Sequence, residues 1–274
     1  MFGKIKLFNL STAPITITEI YLFLYVIFLE KRTDQMKFQC SRQKLNEAVT
    51  NVQRAVSTKS TIPALEGILI KATGNTITLC GYDLEIGITT TLDADVRENG
   101  SVVLSAKLFA ENKRKMPEDT ITIETDEKLI VYISSGKVDY KIIGISDEEY
   151  PELPSVNGND KLTINGDILR SMIRQTIYAV SEKDIKPAHK GSLFEIGNGN
   201  IKIISVDGYR LAIRTEQIDY NDEKSFIVPG KSLSEVTKLI TDDTEDVQIT
   251  VGDRHIVFQI DNYSIITRLI EGEF

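Results

Sequence analysis

Shifted by 124 positions, the chain lies over itself: Pro63 falls on Pro187, Ala64 on Ala188, Gly67 on Gly191 and Asp83 on Asp207, without a gap. The apolar pattern keeps the same offset, with Val102, Val103 and Leu104 over Phe226, Ile227 and Val228, and Lys107 over Lys231. A two-residue slip then sets Ile130 and Val131 over Ile256 and Val257. A period this long marks a tandem duplication of a unit of about 120 residues. Whatever fold the chain adopts, it must be built twice.

The two units read alike. Each opens with a short strand, Lys37 to Cys40 and Lys161 to Ile164, that runs into an amphipathic helix. Leu45, Ala48, Val49, Val52 and Val56 make one apolar stripe, and Ile168, Leu169, Met172, Ile173 and Ile177 the other. A meander of β-branched runs follows: Ile68 to Lys71, Thr76 to Cys80 and Glu85 to Leu92, then Ser192 to Ile196, Asn200 to Ser205 and Tyr209 to Arg214. Turns at Gly74-Asn75 and Gly197 to Asn200 punctuate them. A strand feeds a second helix, Ala106 to Met116 and Lys231 to Ile240, and three strands close each unit, in the second copy Asp246 to Val251, Arg254 to Ile260 and Tyr263 to Ile270. Two helices packed on antiparallel sheets per unit make an α+β fold rather than a parallel-sheet enzyme. Pro151, Pro154 and the polar run from Ser155 to Asp160 mark the join, giving units 36–154 and 155–274.

Charge is sorted by element. The four helices with their leading residues (42–56, 105–116, 165–180 and 230–240) carry 11 basic and four acidic side chains, a net +7 in a chain of net charge -8, so the remainder carries -15. Lys44, Arg54, Arg170 and Arg174 fall off the apolar stripes and are expected to face water. A basic helical surface backed by acidic sheets suits contact with a polyanion backbone, a contact that reads no base sequence.

The chemistry-bearing residues are sparse. Two cysteines, Cys40 and Cys80, and two histidines, His189 and His255, support neither a disulfide framework nor a zinc site, and no cofactor is implied. Gly197-Asn198-Gly199-Asn200 lacks the Lys-Ser/Thr that completes a phosphate loop and reads as a hairpin turn. His255, Tyr140 and Tyr263 read as strand residues and the cysteines as inert core thiols. No nucleophile–base pair is found, so the chain reads as a non-enzyme.

From Met36 to Phe274 the sequence resembles the bacterial sliding clamp, the β subunit of DNA polymerase III, over the first two of its three domains. The resemblance rests on MKFQCSRQKL at 36–45, STIPALEGILI at 60–70, GYDLEIGI at 81–88, SVDGYRLAI at 205–213, FIVPGKSL at 226–233 and IITRLIEGEF at 265–274, in this order and spacing. It implies tandem clamp domains whose helices line a ring around double-stranded DNA. The implied role is a non-catalytic processivity factor for DNA replication in the cytoplasm. Implied partners are the polymerase III alpha subunit, the clamp loader and other proteins with clamp-binding peptides, in a homodimer ring. It puts Lys59, Arg54, Lys113, Arg114, Lys115, Arg170 and Arg174 toward DNA. Val206, Gly208, Tyr209, Arg210 and Leu211 would form a partner-peptide pocket in which the glycine allows close approach, with His189 at a rim where the family usually has an apolar residue.

Two departures stand out. The family's third domain is absent, so the chain reads as C-terminally truncated, with an incomplete pocket and no usual partner for ring closure. The first 35 residues differ from the rest: Lys4 and Lys6 precede ten apolar residues, Ile20 to Leu29, a run shorter than the ~20 that span a bilayer. Residues 1–35 are expected to lie outside the fold, with Met36 as the natural start; the alternative is a membrane-tethered binding module anchored by that run.

Overall fold

The computed structural model describes residues 35–113, 116–156, 161–182, 186–220 and 222–274. The apolar run at 20–29, Arg114 and Lys115 lie outside them, as does the side chain of Lys113. Among the described residues no helix is long and apolar enough to cross a membrane.

Helix α1 (Arg42–Val52) buries Leu45, Ala48, Val49 and Val52, the stripe that its three- and four-residue spacing dictates. Its counterpart in the second unit, α3 (Gly166–Thr176), buries Leu169, Met172 and Ile173. The Asn165 side-chain oxygen caps α3 by accepting from the Ile168 N–H at 3.2 Å, with Asp167 in the first turn and Arg174 in the last, both favourable to the helix dipole. Ile168 departs from its expected stripe and is exposed. Helix α2 is described over Ala106–Lys113, and Met116 is buried. Helix α4 (Gly230–Leu239) buries Leu233, Val236 and Leu239.

Seventeen strands are present among the described residues, every pair antiparallel: β1 (Lys37–Ser41), β2 (Gly67–Thr73), β3 (Thr76–Tyr82), β4 (Ile86–Asp93), β5 (Asp95–Glu98), β6 (Gly100–Ser105), β7 (Thr120–Thr125), β8 (Ile130–Ser135) and β9 (Val138–Ile143) in the first unit. The second unit holds β10 (Lys161–Asn165), β11 (Gly191–Gly197), β12 (Asn200–Val206), β13 (Leu211–Gln217), β14 (Lys224–Pro229), β15 (Asp246–Val251), β16 (His255–Ile260) and β17 (Tyr263–Arg268). They form three sheets, ordered β5-β1-β7-β8-β9, β10-β15-β16-β17-β4-β3-β2-β6 and β13-β12-β11-β14. The eight-stranded sheet belongs to both units, because the last strand of the second, β17, pairs with β4 of the first.

One row across this shared sheet shows where the core sits. Leu162 faces Ile249, Ile249 faces Phe258, Phe258 faces Ile265, Ile265 faces Ile88 and Ile88 faces Gly81, so all six lie on one face. The buried stripes of all four helices join the same core. Gly81 ends the row because α1 crosses it: a Cβ there would stand 2.3 Å from the Val52 carbonyl oxygen. The helices therefore share one face of a sheet that runs through both units.

Three sequence expectations are corrected. The slip that set Ile130 over Ile256 is one residue too long: Val131 and Ile133 are buried like Ile256 and Phe258, and each strand is followed by a two-residue turn, Gly136-Lys137 and Asp261-Asn262. A one-residue shift would turn every side chain to the wrong face. Strand β13 begins at Leu211 rather than Tyr209, because Asp207 ties up the N–H groups of Tyr209 and Arg210. Strand β5 was not expected at all; its Asp-Val-Arg-Glu sequence is largely exposed and has no apolar alternation.

Candidate nucleic-acid interface and partner-peptide surface

The exposed sides of the helices lie away from the shared core, and the expected cations divide there into free and engaged. Lys44 and Arg174 are exposed and, among the described residues, make no ion pair, as is true of Lys59 in the loop between Ala55 and Pro63. The Lys59 loop is held by Ser57, whose hydroxyl donates to the Lys59 carbonyl at 2.8 Å, leaving the ammonium to solvent.

Arg170 and Arg54 are placed otherwise than expected. Arg170 is only 19% exposed and is clamped by Asp167 at 2.6 Å and Asp242 at 2.8 Å, and it also donates to the Ile240 carbonyl at 3.4 Å. Its charge is therefore largely answered within the fold. Arg54 is half-buried at the junction of the two units, with Nη1 3.8 Å from Oε2 of Glu235 on α4. Both of those atoms are buried without a hydrogen bond, so the contact is a charge pairing across the junction rather than a bond. Asp167 was visible in the sequence, three residues before Arg170. Asp242 and Glu235 were not, because they arrive from other elements.

The segment 207–211 is a tight turn ahead of β13. Asp207 Oδ1 accepts from the N–H groups of Tyr209 at 3.0 Å and Arg210 at 3.1 Å, and Oδ2 accepts from Arg210 Nε at 2.8 Å. The Tyr209 N–H above all, with the guanidinium and N–H of Arg210, holds the Asp207 carboxyl below its ordinary pKa of 3.8. Gly208 adopts φ +89°, and a Cβ there would meet nothing within 4 Å. The backbone conformation there favours glycine. Tyr209 is 92% exposed and Leu211 is also exposed, while Val206 is half-buried at the end of β12. Arg210 lies 5.7 Å from the Tyr178 ring centroid. His189 sits in the turn Pro187–Lys190 that feeds β11, its ring 5.6 Å from that of Phe274. The hydroxyls of Ser192 and Ser205, 2.7 Å apart, tie that end of β11 to the end of β12 beside Val206.

A cavity of about 380 Å³ opens where the units meet, lined among others by Glu85, Pro187, Lys231, Arg268 and Ile270. Sequence reasoning missed it, since its walls come together only when β17 pairs with β4. Cys40 and Cys80 are buried and free, and burial pushes both thiols up to about 12. His255 stands in β16 opposite Arg268, and desolvation followed by that cation's charge lowers its pKa. Among the described residues no cluster of three or more His, Cys, Asp or Glu side chains is placed to hold a metal.

Residues 36–154 match the family model for the DNA polymerase III beta subunit, N-terminal domain, and residues 163–274 that for the central domain. The chain is 32% identical over 249 residues to the beta sliding clamp of Bacillus subtilis and 34% over 251 residues to that of Halalkalibacterium halodurans, each alignment covering 87% of this chain and 66% of the relative. The fold superposes with a TM-score of 0.84 and 39% identity on a crystal structure titled a putative DNA polymerase III beta subunit, from Eubacterium rectale, over 87% of this chain and 66% of that one. For the DNA polymerase sliding clamp of Bacillus subtilis the values are 0.85 and 31%, over 88% and 66%. With both units matched in order, and with clamp structures carrying the same fold, the chain belongs to the bacterial sliding-clamp family of DNA polymerase III beta subunits.

Proposed function

We propose that the chain serves as a non-catalytic processivity factor in the cytoplasm, holding duplex DNA along its helical face without reading sequence and presenting residues 206–211 to peptides of the polymerase and its loader. The observation that carries this reading is the arrangement of four helices on one face of a continuous sheet, with unpaired cations at Lys44, Lys59 and Arg174. Cations held on rigid helices neutralise phosphates at little ordering cost, and each phosphate neutralised releases counterions. Of the expected DNA contacts whose side chains are described, Lys59 and Arg174 are the ones with charge to spare. Arg54 and Arg170 act through the fold, positioning the junction and the start of α3. Lys113, Arg114 and Lys115 are proposed as further DNA contacts on the resemblance alone. Val206, Tyr209 and Leu211 would offer apolar surface to a short motif, with Gly208 shaping the turn, Arg210 held by Asp207, and His189 flanking.

The test is duplex binding by fluorescence anisotropy at fixed salt. Lys59→Ala with Arg174→Ala is expected to weaken binding to any duplex several-fold, whereas Arg42→Ala, whose guanidinium is spent on the Met116 carbonyl and Asp119, leaves it nearly unchanged. Equal binding by all three proteins would count against a helical DNA face.

A further inference from the structure

We infer that the cavity of about 380 Å³ at the junction of the two units binds an apolar carboxylate, a ligand with one negative charge on an apolar body. The inference is independent of DNA binding and of the 206–211 surface, and rests on how the cavity is built. Both units frame it. Glu85 and Ile86 come from the start of β4, Lys231 and Ser232 from the first turn of α4, and Arg268 and Ile270 from the end of β17 and just beyond. The frame is held by groups that satisfy one another. The Glu85 carbonyl accepts from the Arg268 N–H at 3.0 Å and from the Thr267 hydroxyl at 3.2 Å, while the Thr267 and Ser232 hydroxyls lie 2.7 Å apart. The Ile270 N–H donates to the Ile227 carbonyl at 3.0 Å. A cavity fixed in this way needs little ordering when a ligand enters.

Its charges choose the ligand. Lys190, Lys231 and Arg268 line the cavity against a single acid, Glu85. Lys231 Nζ is held 2.5 Å from Asp83 Oδ2, yet its side chain is 57% exposed, and an ammonium has three N–H donors to offer. Arg268 is exposed and, among the described residues, neither it nor Glu85 makes an ion pair. A guanidinium with charge to spare presents a fork that matches a carboxylate. The Glu85 carboxylate, with Asp83 on Lys231, keeps the positive surplus small, so a monoanion is favoured over the nearly doubly charged phosphate monoester. The walls between these charges are apolar, from Ile86, Leu269 and Ile270, and they call for an apolar ligand body.

Leu84, the residue before Glu85, supplies a second and separate observation. Asp83 Oδ1 accepts from the N–H groups of Glu85 and Ile86, the same turn that Asp207 makes with Tyr209 and Arg210. In the second unit that turn carries Gly208, whereas in the first it carries Leu84 at φ +75° with its side chain 49% exposed. A leucine held in a backbone region that disfavours side chains, while half of it stands in water, gains nothing inside the fold to offset the strain. An apolar ligand seated beside Glu85 would cover it.

Calorimetric titration of the 274-residue chain with phenylbutyrate, its neutral amide, phenyl phosphate and the dipeptide acetyl-Leu-Leu with a free carboxyl end tests this. Both carboxylates are expected to bind, and the amide to bind about tenfold more weakly than phenylbutyrate, the worth of a hydrogen bond to a charged group. Phenyl phosphate should bind more weakly than either carboxylate. Tighter binding of the dipeptide would name a peptide end as the source of the carboxylate, and tighter binding of phenylbutyrate a free acid; the site stands in both cases. Arg268→Gln should cost both carboxylates about tenfold in affinity with no change in melting temperature, because the side chain makes no ion pair in the fold. Leu84→Gly should weaken both several-fold, and Leu211→Ala should weaken neither. No binding by the unaltered chain, equal binding of acid and amide, or a loss with Leu211→Ala in place of Arg268→Gln would overturn the inference.

Discussion

Asp83 and Asp207 build one turn in two settings, and the residue after each shows what the turn demands. Gly208 takes φ +89° and Leu84 takes φ +75°, so the first unit accepts a leucine in a backbone region that disfavours side chains. Gly208→Ala should accordingly cost about 1–2 kcal/mol in urea denaturation by backbone strain alone, since nothing crowds the new methyl. The cysteines give a second residue-level test. Their thiols are raised from 9.0 to about 12 by burial, so Ellman's reagent at pH 8 should find them unreactive until the chain unfolds. A raised folded pKa gives stability that is whole below 9.0 and is lost as pH climbs toward 12; melting temperature should therefore fall over that window, and less steeply in Cys40→Ser. Arg170 and Arg174, alike in sequence, should part company in experiment. Arg170→Ala strands Asp167 and Asp242 and should lower the melting temperature, whereas Arg174→Ala should leave melting alone and reduce the salt slope of duplex binding by about 0.9.

At the scale of elements, what the sequence made legible was what periodicity controls. The apolar stripe of α1, that of α3 apart from Ile168, the Gly197–Asn200 turn with Asn198 at φ +52° and Gly199 at φ +72°, and the strands from Asp246 onward fall where spacing and turn residues place them. What escaped was set by partners distant in sequence. Strand β5 exists because β1 offers it an edge, and Val131 rather than Ile130 matches Ile256 because burial, not residue likeness, fixes the face of a strand. The candidate site divides the same way: the positions of the cations off the apolar stripes could be read from the chain, while the engagement of Arg54 by Glu235 could not. Close packing of a helix on a strand gives the sharpest element-scale test. Gly81→Ala would drive a methyl to 2.3 Å from the Val52 carbonyl, and should cost about 3 kcal/mol in chemical denaturation by forcing α1 off β3. A cost below 1 kcal/mol would mean that α1 is free to shift.

At the scale of the whole molecule, the pairing of β17 with β4 makes one surface out of two units, since it sets all four helices on one face of a single sheet. In the proposed reading, that continuity would bring basic side chains of the helices to one polyanion-binding surface on a chain whose net charge is -8. The most direct test of this account is the salt dependence of binding to two duplexes of equal length and unrelated sequence. We predict equal affinities at every salt concentration, and a log–log slope of about -0.9 for each phosphate neutralised. A preference for one sequence, or an affinity indifferent to salt, would contradict it.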